Sequence, residues 1–124
     1  MIEKIAKDAI AAAGLAFADS PDWDGTPKIW VGTEPAKTED ETQSGIVAMR
    51  TVLAIYGIAD NEQVARDLMR TAAVAVYAKF ETLENTRRSG ILCITLAEHD
   101  VSLVQDRATY QAFTKFTILH TLTL

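Results

Sequence analysis

The chain has 124 residues, 48 % of them hydrophobic, and a formal net charge of −5. That length suits one domain and is too short for two ordinary ones, while the apolar fraction can fill a core and excludes disorder over most of the chain. Twelve Lys and Arg stand against 17 Asp and Glu, and Arg87-Arg88 is the only adjacent basic pair, so the clustered cations that phosphate neutralisation requires are missing and no nucleic-acid partner, sequence-specific or not, is expected.

Cys93 is the single cysteine. An intrachain disulfide is impossible, and its apolar surroundings predict a buried, inert thiol. The start, Met1-Ile2-Glu3-Lys4-Ile5, is charged and amphipathic and lacks the apolar centre of a signal peptide. No apolar run approaches the roughly 20 residues of a membrane span. These features predict a cytosolic or intracellularly assembled protein.

Ile2, Ile5, Ala6, Ala9, Ile10 and Ala13 share one helical face, opposite Glu3, Lys4, Lys7 and Asp8. The spacing predicts a helix from Ile2 to Ala13, capped by a left-handed Gly14. Asp19 to Pro27 is turn chemistry, with Asp24-Gly25 and two prolines. A short strand, Lys28 to Gly32, follows. Residues Thr33 to Gln43 carry Glu34, Glu39, Asp40 and Glu41 against Lys37 alone, with Pro35 opposing regular pairing; an exposed, mobile loop is expected.

Ser44 to Ala59 is the longest strand candidate, and both of its faces are largely apolar: Val47, Met49, Thr51, Leu53 and Ile55 on one, Ile46, Ala48, Arg50, Val52, Ala54 and Tyr56 on the other. Such a strand should be covered on both sides. Helices can cover one; the other calls for more sheet or a second subunit. Asp60 then reads as an N-cap with Gln63 at the third helical position. The row Ala65, Leu68, Ala72, Val76 and Lys79, flanked by Met69, Ala73 and Phe80, predicts a helix to about Phe80, with an outer Glu62–Arg66 pair. Glu81 to Ser89 is a polar loop, Gly90 to Leu96 a strand, and His99 to Asp106 a connection. Thr109 to Leu124 alternates with a period of two and predicts the final strand. The expected fold is a single α+β domain over residues 1–124: a mixed or antiparallel sheet of about four strands with two main helices packed on one face.

Chemistry is sparse. Glu98, His99 and Asp100 invite a general-base or metal reading, but His120 is the only other histidine and no HxxxH, HExxH or CxxC spacing exists. A solvated strand-end turn is the plainer reading, and His120, between Ile118 and Leu122, reads as a core-edge histidine with one hydrogen bond. Glycine loops for phosphate and nucleophile elbows are missing. Trp23 and Trp30 with Asp22 and Asp24 could form a stacking site, although tryptophan beside a short strand more often caps a core edge. The acidic loop lacks EF-hand spacing. No catalytic residue, metal or cofactor is expected, and the chain is read as a non-enzyme.

Three stretches carry a resemblance: Asp24-Gly25-Thr26-Pro27-Lys28-Ile29-Trp30-Val31, Arg50 through Tyr56 into Gly57-Ile58-Ala59-Asp60-Asn61-Glu62, and Tyr110-Gln111-Ala112-Phe113-Thr114-Lys115-Phe116-Thr117-Ile118. In pattern and order, with the leading helix and acidic loop, they resemble the tail terminator proteins of lambda-type long-tailed bacteriophages and their minor tail relatives. The resemblance implies a virion tail component, assembled in the host cytoplasm. It would form a hexameric ring that caps the tail tube, stops its polymerisation and docks the head, with tail-tube and head–tail connector proteins as partners. Subunit contacts are then expected at Arg50, Val52, Ala54 and Tyr56, and partner contacts at loop residues Glu39, Asp40, Arg87 and Arg88. A head-closure or neck protein is the neighbouring alternative. A small-molecule-binding regulatory module using Trp23, Trp30 and His99 is a different class, and an enzyme centred on Glu98, His99 and Asp100 a third.

Overall fold

The computed structural model describes residues 2–34, 37–41, 46–104 and 108–123. The elements are α1 (Ile2–Ala12), β1 (Lys28–Thr33), β2 (Lys37–Glu41), β3 (Ile46–Ala59), α2 (Glu62–Glu84), β4 (Ile91–Val104) and β5 (Thr109–Thr123). All strand pairs are antiparallel, and the sheet runs β1-β3-β5-β4. Because β5 pairs with the whole of β3, β1 and β2 share the other edge of that strand: β1 lies along Leu53–Ile58 and β2 along Val47–Arg50. The α+β architecture is the one the sequence predicts.

Both helices cover the same face. α1 buries Ile2, Ala6 and Ile10, the row its spacing predicts, and ends where Gly14 adopts φ +79°. α2 buries Ala65, Met69, Ala72, Ala73, Val76 and Phe80. These meet Ile29 and Val31 of β1, Leu53 and Ile55 of β3, and Phe116 and Ile118 of β5 in one core. Burying a side chain such as Phe80 or Ile55 contributes about 1.5–3 kcal/mol. The closest approach is at Gly57, where a Cβ would overlap the Ala65 carbonyl oxygen and sit 2.7 Å from the Met69 nitrogen. Thr114, beside it on β5, donates its hydroxyl to the Met69 sulfur at 2.7 Å. α2 therefore rests directly on the sheet backbone.

The structure differs from the sequence reading in four places. Asn61, not Asp60, caps α2: its Oδ1 accepts the Val64 N–H at 3.1 Å. Both residues are good caps, and the choice falls to where β3 releases the chain. α2 continues a turn past Phe80 because Leu83 still packs on the core. The supposed loop 33–43 contains β2, since β3 extends beyond β1 and its remaining edge groups are satisfied by pairing despite the acidic composition. Finally, β4 runs on through His99 and Asp100 to Val104. Register shifts between Ile91 and Cys93 and between Leu96 and Glu98 break the period of two, so the sequence pattern ends while the pairing does not.

Candidate functional site

Two surfaces stand out, and they are made by different elements. The first is the face of the sheet turned away from the helices. Lys28, Trp30 and Gly32 reach it from β1, the even-numbered residues of β3 pair with them, and Phe113 and Lys115 extend it across β5. Trp30, Tyr56 and Phe113 form a continuous aromatic row, with centroids 5.2 Å apart for the first pair and 6.1 Å for the second, both tilted. The Trp30 ring lies over Gly32, whose missing side chain makes the room: a Cβ there would come within 2.8 Å of the ring. Lys115 Nζ sits 5.6 Å from the Phe113 centroid. All three rings are half-exposed.

The interface residues expected from sequence divide on this face. Val52 and Tyr56 are half-buried, Arg50 is exposed, and Ala54 is only 7 % exposed. Cys93 is half-buried opposite Leu119 on this face, not enclosed in the core as expected. Trp30, too, belongs to the open face and caps no helix-side core. Glu39 and Asp40 fall in β2, but their side chains lie outside the described residues. Arg87 and Arg88 are exposed on the turn after α2, where Arg88 takes φ +65°.

The second surface is a groove of about 810 Å³ between α2 and β4. Its floor includes Met69 and Phe116, and its walls carry Val74 at 65 %, Leu96 at 55 % and Tyr77 at 38 % exposure. Tyr77 packs on Phe116 with ring centroids 5.8 Å apart. Arg66, Arg70, His99 and Asp100 border one part and Glu81 another. Arg66 pairs with Glu62 at 3.3 Å, as expected. The groove arises because the sheet is wider than α2: Leu96 and His99 pair with Phe116 and Thr114 on the helix side, yet remain exposed. Sequence reading missed this surface, although the signal was there. Arg66, Arg70, Val74, Tyr77 and Glu81 make a second i+3/i+4 row on α2, beside the buried one.

The remaining candidates fall elsewhere. His120 is buried on the helix side, sharing a 2.8 Å hydrogen bond between its Nε2 and the Thr51 hydroxyl, with Nδ1 unbonded among the described residues. Burial pushes its pKa down. That is the core-edge histidine the sequence suggests, and it does not meet His99. In the turn before β1, the Thr26 N–H donates to Asp24 at 3.0 Å and, with Lys28 at 3.3 Å, holds that carboxyl below its usual pKa. Lys28 also donates to the Asp22 carbonyl. No group of three or more His, Cys, Asp or Glu among the described residues is placed to hold a metal ion. No helix among them is long and apolar enough to cross a membrane.

No family model and no curated protein matches the sequence. In three dimensions the chain is similar to a chain of a solved structure described as "Virion of native gene transfer agent (GTA) particle", with a TM-score of 0.55 at 16 % identity, over 92 % of this chain and 84 % of that one. At that identity the likeness establishes a shared fold over nearly the whole length of both chains.

Proposed function

We propose that the chain is a non-enzymatic virion structural subunit and, within that class, a tail terminator. It would form a ring, hexameric in the family it resembles, that covers the last ring of the tail tube and offers the head a different surface. The observation that carries this reading is the fold shared with a virion chain over 92 % of the length. The sequence resemblance points the same way. The open sheet face, with its half-exposed aromatic row, gives assembly a surface to cover. The mechanism would be geometric: ring formation on the tube end hides the polymerising surface, so elongation stops.

Removing the gene from its phage or particle-producing host and imaging the products tests the role. Tails of uncontrolled length without heads are expected, restored by the gene supplied in trans. Tails of normal length beside DNA-leaking heads would instead assign the chain to head closure, and unchanged particles would refute a virion role. A second reading, a small-molecule-binding module, draws on the groove that brings His99 together with Arg66, Arg70 and Asp100. A small carboxylate that raises the melting temperature of the wild type but not of Arg70→Ala would favour it.

A further inference from the structure

We infer that α2 packs against α2 of a second copy of this chain, antiparallel and about a two-fold axis, so that the outer flank of each helix closes the groove of the other chain. The inference goes beyond the proposed function and does not rest on it. A two-fold contact closes after two copies. This one uses a surface separate from the open sheet face, so it adds to a ring contact there and does not replace it.

The groove carries charge of both signs, and the order of those charges along α2 selects the partner. Val74 and Tyr77, Arg70 and Glu81, and Arg66 and Glu84 are nested about one point, at Ala75–Val76. Two copies of the helix laid antiparallel across that point bring Val74 against Tyr77, Arg70 against Glu81 and Arg66 against Glu84 of the other copy, each twice. The helical phase agrees. Glu81 lies eleven residues after Arg70 and Glu84 eighteen after Arg66, about three and five whole turns, so the members of each pair lie on the same side of the helix.

Within one chain Arg70 and Glu81 cannot meet, because eleven helical residues span about 16 Å. Arg70, Glu81 and Glu84 have no ion pair among the described residues. Arg66 keeps Glu62 at 3.3 Å, a largely exposed pair that holds it weakly. Asp100, at the groove, and Asp67, on the same flank of α2, are already engaged, the latter with Gln63 at 2.8 Å. Apolar surface supplies the drive to associate. Val74 at 65 % and Leu96 at 55 % are the most exposed large hydrophobic residues among those described, Tyr77 joins them at 38 %, and all three line the groove. Covering them favours association, and the ion pairs on either side fix direction and register.

Charge exchange in a Tyr56→Ala chain, whose open face no longer supports a ring, tests the contact by light scattering, with circular dichroism to verify folding. The Tyr56→Ala chain should run at two chain masses at high concentration. Adding Arg70→Glu, or Glu81→Arg, should halve that mass, because like charges then face each other at both ends of the contact. Carrying both changes in one chain should restore the pair. Mixing the two singly reversed chains should restore it too, since each arrangement again sets opposite charges together. A Tyr56→Ala chain that stays at one chain mass, a reversed variant that still pairs, or a double reversal and a mixture that both fail to pair overturns the inference. None of these outcomes bears on gene removal, so tails of uncontrolled length would still support the proposed function.

Discussion

The two faces of the sheet are built from the same three strands, yet they do different work. On the helix side, Leu53, Ile55 and Ile118 are fully enclosed, and the backbone itself touches α2 at Gly57. On the other side Tyr56 touches both Trp30 and Phe113, yet all three rings stay half-exposed, with Lys115 beside Phe113. Aliphatic side chains fill a closed space at crystal-like density. Half-exposed aromatic rings carry large contact areas that a partner can still use. One face holds the fold together; the other leaves its aromatic rings half-exposed.

If that division is right, substitutions on the two faces should affect different measurements. The largest effect on folding is expected for Gly57→Val. Backbone atoms cannot yield as a side-chain tip does, so the variant should fail to fold or lose about 3 kcal/mol or more in denaturant titration. Phe80→Ala removes the largest fully buried side chain among the described residues and should cost about 3–5 kcal/mol through the transfer and cavity terms. Tyr56→Ala on the open face should cost about 1–2 kcal/mol in the isolated chain, from its two ring contacts, while abolishing assembly beyond the α2 pair. A folding loss as large as that of Phe80→Ala would erase the distinction between the faces.

A pH series probes the helix side more gently. Burial lowers the pKa of His120 from its ordinary value of 6.5, so the unfolded chain takes up the proton first as pH falls. The stability from the neutral imidazole is complete above about pH 6.5 and is lost as pH drops below it, toward the folded-state pKa. Melting temperatures should decline over that range, and His120→Gln should remove this part of the decline. The smallest effect is expected for Arg70→Ala: within about 0.5 kcal/mol on stability, as for an exposed position without a partner.

The sequence revealed the two faces better than it revealed the edges. The alternation of Thr109 to Leu124 and the doubly apolar Ser44–Ala59 run expressed local periodicity, and strands formed over their described parts, Thr109–Thr123 and Ile46–Ala59; Ser44, Gly45 and Leu124 lie outside the described residues. The rows on α1 and α2 were equally legible, as was the outward Glu62–Arg66 pair. β2 was hidden because its strand state depends on the unpaired part of β3, not on its own acidic residues. The far half of β4 was hidden because the register shift between Leu96 and Glu98 breaks the alternation there. The groove inherits both difficulties: it exists only because β4 extends past the cover of α2, and it recruits an outer helical row that reads as ordinary solvent-facing surface. His99, read from sequence as part of a solvated strand-end turn, borders the groove, but its neighbours Arg66 and Arg70 come from a distant element and no short motif joins them.

The central claim is that a single copy leaves surface which other copies cover, and the mass of the purified chain in solution addresses it most directly. Light scattering over a range of concentration and salt should give a multiple of the 13.6 kDa chain mass, six-fold for the ring proposed, and Tyr56→Ala should return it to no more than the pair of chains. A wild type that stays at 13.6 kDa at every concentration would contradict the account.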